Sequence, residues 1–253
     1  MTVTTAPAAK AASSTELSLD LIITCADGLE APLQTELTSF GIASDIKSTG
    51  RLAVTGTLRD LYTICLWSRV ASRVLMLIKR RNINAEYDVA EQIYGLAKSV
   101  NWTEQFNLEQ TFAIRLSVDK RVAVSQQFAM LRIKDAIADT FNEVYDSRPN
   151  VDSKNPDFSI FATVNDKQAE LYLDLSGTSL HRRGYRVAMT EAPLKENLAA
   201  ALLYSAGWHK KNEAGNAPFY NALIDPMCGS GTFIIEALLM HCDYAVGIIA
   251  VHE

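Results

Sequence analysis

Residues 222–240 read A-L-I-D-P-M-C-G-S-G-T-F-I-I-E-A-L-L-M. An apolar run ends at Asp225, a turn carrying Pro226, Gly229, Ser230 and Gly231 follows, and a second apolar run opens at Phe233. That order predicts a strand, a glycine-rich turn and a helix start. Turns of this kind open nucleotide-binding domains. Glycine lets the backbone approach a ligand, and the first amides of a helix offer free donors to an anion.

Three ligand chemistries compete for such a turn. A phosphate-binding loop spelled G-x-x-x-x-G-K-[ST] needs a lysine to reach the phosphates, and the turn has none. A dinucleotide turn spelled G-x-G-x-x-G needs a third glycine for close helix packing, and Ile234 stands there. S-adenosylmethionine fits better. Its carboxylate can meet the helix amides and its cationic end can face Asp225. The plain alternative is a tight β–α turn that holds nothing.

Working outward, the 253 residues are 48% hydrophobic and 21% charged, with a net charge of −5. That is an ordinary globular composition, with no global basic footprint of a dedicated nucleic-acid protein. No run reaches the roughly 18 apolar residues of a spanning helix. Residues 1–18 are small and polar, lack the apolar centre of a signal peptide, and predict a disordered tail. A cytoplasmic location is expected. Cys25, Cys65, Cys228 and Cys242 are scattered, with no C-x-x-C pair, so free thiols are expected rather than disulfides or a metal site.

From Asp20 the pattern predicts a strand, then a helix over 29–40 with Leu29, Leu33, Leu37 and Phe40 on one face, stopped by Gly41. One or two strands follow around Gly50. A helix is predicted over 58–76, with a strand finishing at 74–78. The series has the makings of a split β-α-β layer. A second unit predicts a helix over 89–100 and a strand over 111–118. A helix over 124–141 follows, with Phe128, Ala129, Ile133, Ile137 and Phe141 inward. A hairpin pairs 158–164 with 169–175 across Asn165–Gln168. Residues 177–193 read as a basic connector, 194–205 as an amphipathic helix, 212–218 as a polar loop and 246–251 as a strand. The expected domains are 1–18 tail, 19–82 ferredoxin-like, 83–178 a second α/β unit (its start could extend back to 58), and 179–253 connector plus the opening of a further domain.

The motif D-P-M-C-G-S-G-T (225–232) resembles the cofactor turn of bacterial RNA methyltransferases that carry a THUMP domain. So do L-D-L-S-G-T-S-L-H-R-R-G-Y-R (173–186 within 171–186), A-P-L-K-E-N-L-A-A-A-L-L (192–203), G-L-E-A-P-L-Q-T-E-L (28–37), L-W-S-R-V-A-S-R (66–73) and S-V-N-W-T-E-Q-F (99–106). The chain is similar to the 23S rRNA guanine-N2 methyltransferases of the large-subunit K/L type. The resemblance implies an α/β fold: a ferredoxin-like domain, a THUMP domain, then the first strand and helix of a Rossmann-like methyltransferase domain. It implies S-adenosylmethionine held at Asp225, Pro226, Cys228, Gly229, Ser230, Gly231 and Thr232, and 23S rRNA as partner. Cys228 is expected to be a small shape-fitting residue, since amine methylation needs no covalent enzyme intermediate.

The same family places an Asn/Asp-Pro-Pro-Tyr loop after the cofactor turn, where polar groups accept hydrogen bonds from the base amine and the aromatic stacks on the flipped base. The sequence reaches Glu253 without one. Asn155-Pro156-Asp157-Phe158 comes near the pattern but is expected to be a turn before a strand. No catalytic residue is therefore assigned, no turnover and weak or no cofactor binding are expected from these residues alone, and a second polypeptide could supply the rest. Glu253 is a lesser candidate for the cofactor ribose. The rival reading is a free-standing RNA-binding module whose glycine turn is a relic.

For RNA, the candidates are three basic clusters: Arg69, Arg73, Arg80 and Arg81, within a stretch free of acids; Lys120, Arg121, Arg132 and Lys134; and His181, Arg182, Arg183 and Arg186 in the connector. Arg69 and Arg73 are expected on one helix face. Such clusters contact phosphates rather than bases, so recognition by shape is expected.

Overall fold

The computed structural model describes residues 18–84, 86–186, 193–210, 220 and 222–249. The expected tail at 1–18 lies outside these apart from Ser18, as do the loop at 212–218 and Glu253. No helix among the described residues is long and apolar enough to cross a membrane.

The first half runs β1 (Leu19–Thr24), α1 (Glu30–Ser39), β2 (Asp45–Ser48), β3 (Arg51–Gly56), α2 (Leu58–Trp67) and β4 (Arg73–Asn82). Strand order β2-β3-β1-β4, all antiparallel, is the ferredoxin-like arrangement. Gly50 makes the β2–β3 turn at φ 67, where a Cβ would lie 2.9 Å from the Cys25 carbonyl oxygen. Thr57 and Asp60 cap α2 reciprocally, side chain to backbone in each direction. The alternating residues Leu21, Ile23, Leu52, Val54 and Val74 face α1 and α2 and bury there.

The second half runs α3 (Val89–Lys98), β5 (Phe112–Val118), α4 (Gln126–Tyr145), β6 (Phe158–Val164) and β7 (Gln168–Asp174). Asp88 accepts from the amides of Ala90 and Glu91 to start α3, and Ser125 accepts from Phe128 to start α4. Trp102, fully buried, donates its indole N–H to the Ala97 carbonyl at 2.8 Å. Phe106 packs against Phe112, Phe141 and Phe158 with ring centres 4.8–5.7 Å apart. Three further helices follow the sheet: α5 (Glu196–Ser205), α6 (Thr232–His241) and α7 (Val246–Ile249).

The two halves share one sheet of seven strands, β2-β3-β1-β4-β7-β6-β5, in which only β5 and β6 are parallel. β4 is the joint. Residues Arg73–Met76 pair β1, Leu75–Asn82 pair β7, and the register slips between Leu77 and Lys79. By alternation Val74 and Met76 face the first core and Ile78 the second, while Leu75 and Leu77 lie on the opposite face. Helices pack on one face. The other holds a small cluster of Ile22, Leu75 and Tyr172, supported by Ala53, Leu77 and Phe161, to which no helix contributes. Here Lys47 on β2 reaches Glu170 on β7 at 3.3 Å. In a flat sheet those strands would stand about 19 Å apart, more than two side chains can span. The sheet therefore curls around its helix-free face, and this explains why Leu75 and Tyr172 are fully buried without a helix above them.

Five sequence expectations need correction. The helix predicted over 58–76 ends at Trp67, because Ser68 turns extended at ψ 125. The carboxylate that holds this turn is Glu36, fully buried, accepting from Ser68 Oγ at 2.6 Å and from the amides of Arg69 and Val70 at 2.7 and 3.3 Å. Arg69 and Arg73 are thus not on one helix face: Arg69 lies in the turn and Arg73 opens β4. Phe128 is 52% exposed, since it stands about 100° around α4 from the buried Ala129–Ile133–Ile137 stripe. Residues 222–225 are not a strand, for no described strand lies beside them to satisfy their backbone. Residues 246–249 form the short helix α7 instead of a strand, and Gly247 lets it press on α2, where a Cβ would meet the Cys65 carbonyl oxygen at 2.5 Å.

Candidate functional site

The glycine turn delivers the chain into α6. Gly229 and Gly231 adopt φ 52 and 76, the left-handed conformation that favours glycine. Gly231 donates its amide to the Cys228 carbonyl at 2.7 Å, closing the turn. Asp225 accepts from the Met227 amide at 3.1 Å, and Ser230 Oγ lies 3.2 Å from Thr232 Oγ1. No side chain caps α6, so its first amides stay free to meet an anion. A Cβ placed on either glycine would find nothing within 4 Å, and residues 226–230 are exposed. The result is an open cradle with positive character at the helix start and the Asp225 carboxylate beside it. That pattern suits a ligand bearing both a carboxylate and a cation, and S-adenosylmethionine fits it. Cys228 is exposed at the turn.

Beneath the cradle, α6 is fastened to the first half of the sheet by buried charges. Glu236 is fully buried and accepts from Arg183 Nε and from Tyr185 OH, both at 2.9 Å. Arg183, 1% exposed, also donates to the Arg69 carbonyl at 2.7 Å. Arg69 in turn donates to the carbonyls of Leu239 and Tyr244 at 3.2 and 2.8 Å. Trp208 donates to the Ala237 carbonyl at 2.9 Å. Burial pushes the Glu236 carboxyl above its ordinary range, opposed by Arg183, Tyr185 and Arg69. Burial likewise pushes Glu36 up and Arg69 down. Arg186 ties the turn itself: it pairs Glu196 at 3.1 Å and donates to the Leu194 carbonyl at 2.8 Å and to Thr232 Oγ1 at 3.3 Å.

The predicted RNA contacts therefore divide. Arg183, Arg69 and Arg186 do not face solvent: the first two are buried and the third is bound to Glu196 and the turn. Their roles are internal, because a guanidinium this deep with its donors engaged cannot reach a phosphate. Arg81 lies against α3, near Gly95, on the helical face, whereas Arg80 pairs opposite Glu170 on the curled face. Arg121 bonds Asp119 and Asp166 at 2.8 and 3.4 Å, and Arg132 bonds Glu91 at 2.6 Å while lying over the Tyr94 ring. Lys120 and Lys134 are exposed.

Arg73, His181 and Arg182 do converge. They line a groove of about 780 Å³ at the ends of β4, β7, β6 and β5, together with Arg115 and Lys154, which the basic clusters did not include. Both arginines from the sheet are held by Asp174, 5% exposed: Arg73 through a close ion pair and Arg115 at 3.4 Å. Arg115 was legible in principle. The alternation of Ile114 and Leu116 into the core places it on the other face of β5. Asn155 and Pro156 also line this groove, and Asp157 accepts from Thr111, so the near-match to a base-amine loop is a turn into β6.

Comparison with known proteins bears on all three parts. The RlmL ferredoxin-like domain matches residues 20–75, the THUMP domain residues 87–174, and the RMKL-like methyltransferase domain residues 183–251. The ribosomal RNA large subunit methyltransferase K/L of Psychrobacter arcticus is 93% identical over 98% of this chain and 32% of its own length. That of Acinetobacter baumannii (strain AYE) is 45% identical over 90% of the chain and 30% of its own length. The chain thus spans about a third of the length of the curated relatives it matches. Among solved structures, a predicted N6-adenine-specific DNA methylase from Listeria monocytogenes covers 93% of this chain and 59% of its own, with TM-score 0.75 and 27% identity. SMU.472, a putative methyltransferase complexed with SAH, covers 91% and 57%, with TM-score 0.74 and 27% identity. In series the chain therefore carries an RlmL ferredoxin-like domain, a THUMP domain and an RMKL-like methyltransferase domain match, and over nearly all of its own length it is similar to about a third of the ribosomal RNA large subunit methyltransferases K/L.

Proposed function

We propose that these residues form the RNA-gripping platform and the cofactor turn of an enzyme that methylates N2 of a guanine in 23S rRNA. The observation that carries the reading is the buried Arg183, paired with Glu236 on α6 and bonded to the Arg69 carbonyl at the head of β4. It fixes the helix behind the glycine turn against the sheet that the THUMP and ferredoxin-like halves share, so that a bound RNA and a bound cofactor hold a set separation. S-adenosylmethionine would supply an electrophilic methyl group on sulfonium. Gly229, Gly231 and the first amides of α6 would hold its carboxylate end, and Asp225 its ammonium. Pro226, Cys228, Ser230 and Thr232 would shape the cradle. Transfer to the base amine would need a polar loop that accepts its N–H bonds and orients its lone pair. None of the 253 residues spells the Asn/Asp-Pro-Pro-Tyr pattern suited to that step, so a polypeptide of these residues alone is expected to bind RNA without turnover.

The test is methylation of unmodified 23S rRNA, followed by nucleoside analysis. The 253 residues joined to the downstream part of a K/L relative should yield N2-methylguanine, and the 253 residues alone should not. Methylation at another atom by the joined protein, or turnover by these residues alone, would overturn the respective claim. Ile224 and Met227 beside the turn are 87% and 89% exposed, apolar side chains that ask for a covering surface, and this weighs against the second reading, a free-standing RNA-binding module. Unchanged RNA affinity with no measurable S-adenosylmethionine binding in any longer form would support it.

A further inference from the structure

We infer that the groove between the strand ends and the connector is where the platform grips an RNA backbone, with Arg115, Lys154 and Arg182 as the phosphate contacts. This rests on the RNA reading proposed above and gives it a place. The chain carries a net charge of −5, so an anionic polymer is repelled over most of the surface and must find a local exception. The groove is that exception. Five basic side chains line it, and its two acids are already committed: Asp174 to the two arginines and the Ser176 amide, Asp157 to the amide and hydroxyl of Thr111.

Asp174 is more than a neutralising charge. Nine-tenths or more buried, it holds one terminal nitrogen of each guanidinium at the groove floor. That leaves the other N–H donors of each planar group for phosphate oxygens. Ser159 steadies Arg115 further at 3.3 Å. Lys154 and Arg182 form no ion pair among the described residues, so their charge is available to a ligand. The hydroxyls of Thr178 and Ser179 and the amide of Asn155 add neutral partners along the same walls.

The connector gives the groove its functional relation to the cofactor turn. Within six residues, His181 and Arg182 enter the groove, Arg183 and Tyr185 bond Glu236 on α6, and Arg186 bonds Thr232 at the head of that helix. A phosphate on Arg182 is therefore one residue from the pin that holds the cofactor helix.

The experiment measures fluorescence anisotropy of a labelled RNA stem-loop drawn from 23S rRNA with the 253-residue chain, from low to moderate salt. The variant Arg115→Gln/Lys154→Gln/Arg182→Gln is compared with Arg148→Gln/Lys167→Gln, which alters exposed basic side chains outside the groove. Circular dichroism melting verifies that both remain folded. Each phosphate contact contributes a slope of about 0.7–0.9 in log K against log salt. The groove variant should lose roughly two to three units of slope and tenfold or more in affinity at low salt, and the control should change neither. If the unaltered chain binds and the groove variant binds equally well, or the control weakens as much, the groove assignment falls while RNA binding stands. If the unaltered chain binds no RNA at all, the underlying RNA reading falls with it.

Discussion

Glu170 shows how single residues manage charge on the curled face. Burial pushes its carboxyl up, but Tyr172 OH at 2.7 Å, Lys47 and Arg51 together bring it below its ordinary value of 4.5. A carboxyl lowered in the folded state lends stability that is present above that ordinary value. The contribution is lost as pH falls through the folded value. Glu170→Gln should therefore lower the urea midpoint at pH 7, and the gap to the unaltered chain should close at low pH. An equal gap at both pH values would show that packing, not charge, is what Glu170 contributes. The thiols sort by the same logic. Burial pushes Cys25 up to about 12 and Cys65 up to about 11, whereas Cys228 and Cys242 are exposed. Thiol titration near neutral pH should label Cys228 and Cys242 quickly and the other two only on unfolding. At this scale the sequence was half legible. The turn residues 225–232 announced themselves by type and spacing. The inward turn of Arg69 and Arg183 did not, because an arginine in a basic cluster reads the same whether its acid partner is water-separated or, like Glu236, fully buried some 53 positions away.

At the scale of elements, local signals served where they were strong. The periodicity of α1, α3 and α4 and the hairpin of β6 and β7 emerged close to their predicted bounds. α2 did not, since what ends it is Glu36 on α1, a tertiary contact with no local sign. The apolar run at 222–225 reads as strand by residue type, yet a strand exists only beside a partner. Two substitutions probe the elements. Gly50→Ala forces a side chain into a positive-φ turn against the Cys25 carbonyl. It should cost more than 1 kcal/mol in chemical denaturation, and no loss would contradict the positive φ of this turn. Phe141→Ala removes a fully buried ring from the cluster around Phe106 and should cost about 3–5 kcal/mol. A loss under about 1 kcal/mol would mean that α4 packs differently.

At the scale of the molecule, one sheet unites what the sequence divides into units. β4 belongs to both halves, its alternate residues Val74, Met76 and Ile78 serve two cores, and Lys47 and Arg51 cross the curled face to meet Glu170. Nothing local predicts such closure, because it depends on strands that are distant in sequence. The buried bridge of Arg183 and Glu236, with the Arg183 bond to the Arg69 carbonyl, then joins α6 to this body. The coupling of the glycine turn to the sheet depends on that bridge, and hydrogen–deuterium exchange tests it most directly. In the unaltered chain, amides of α6 should exchange as slowly as those of the neighbouring α5. In Arg183→Met, which leaves Glu236 buried without its partner, α6 should lose protection while β1, β3 and β4 keep theirs. Fast exchange of α6 in the unaltered chain, or protection unchanged in the variant, would contradict the claim that this bridge fastens α6 to the sheet.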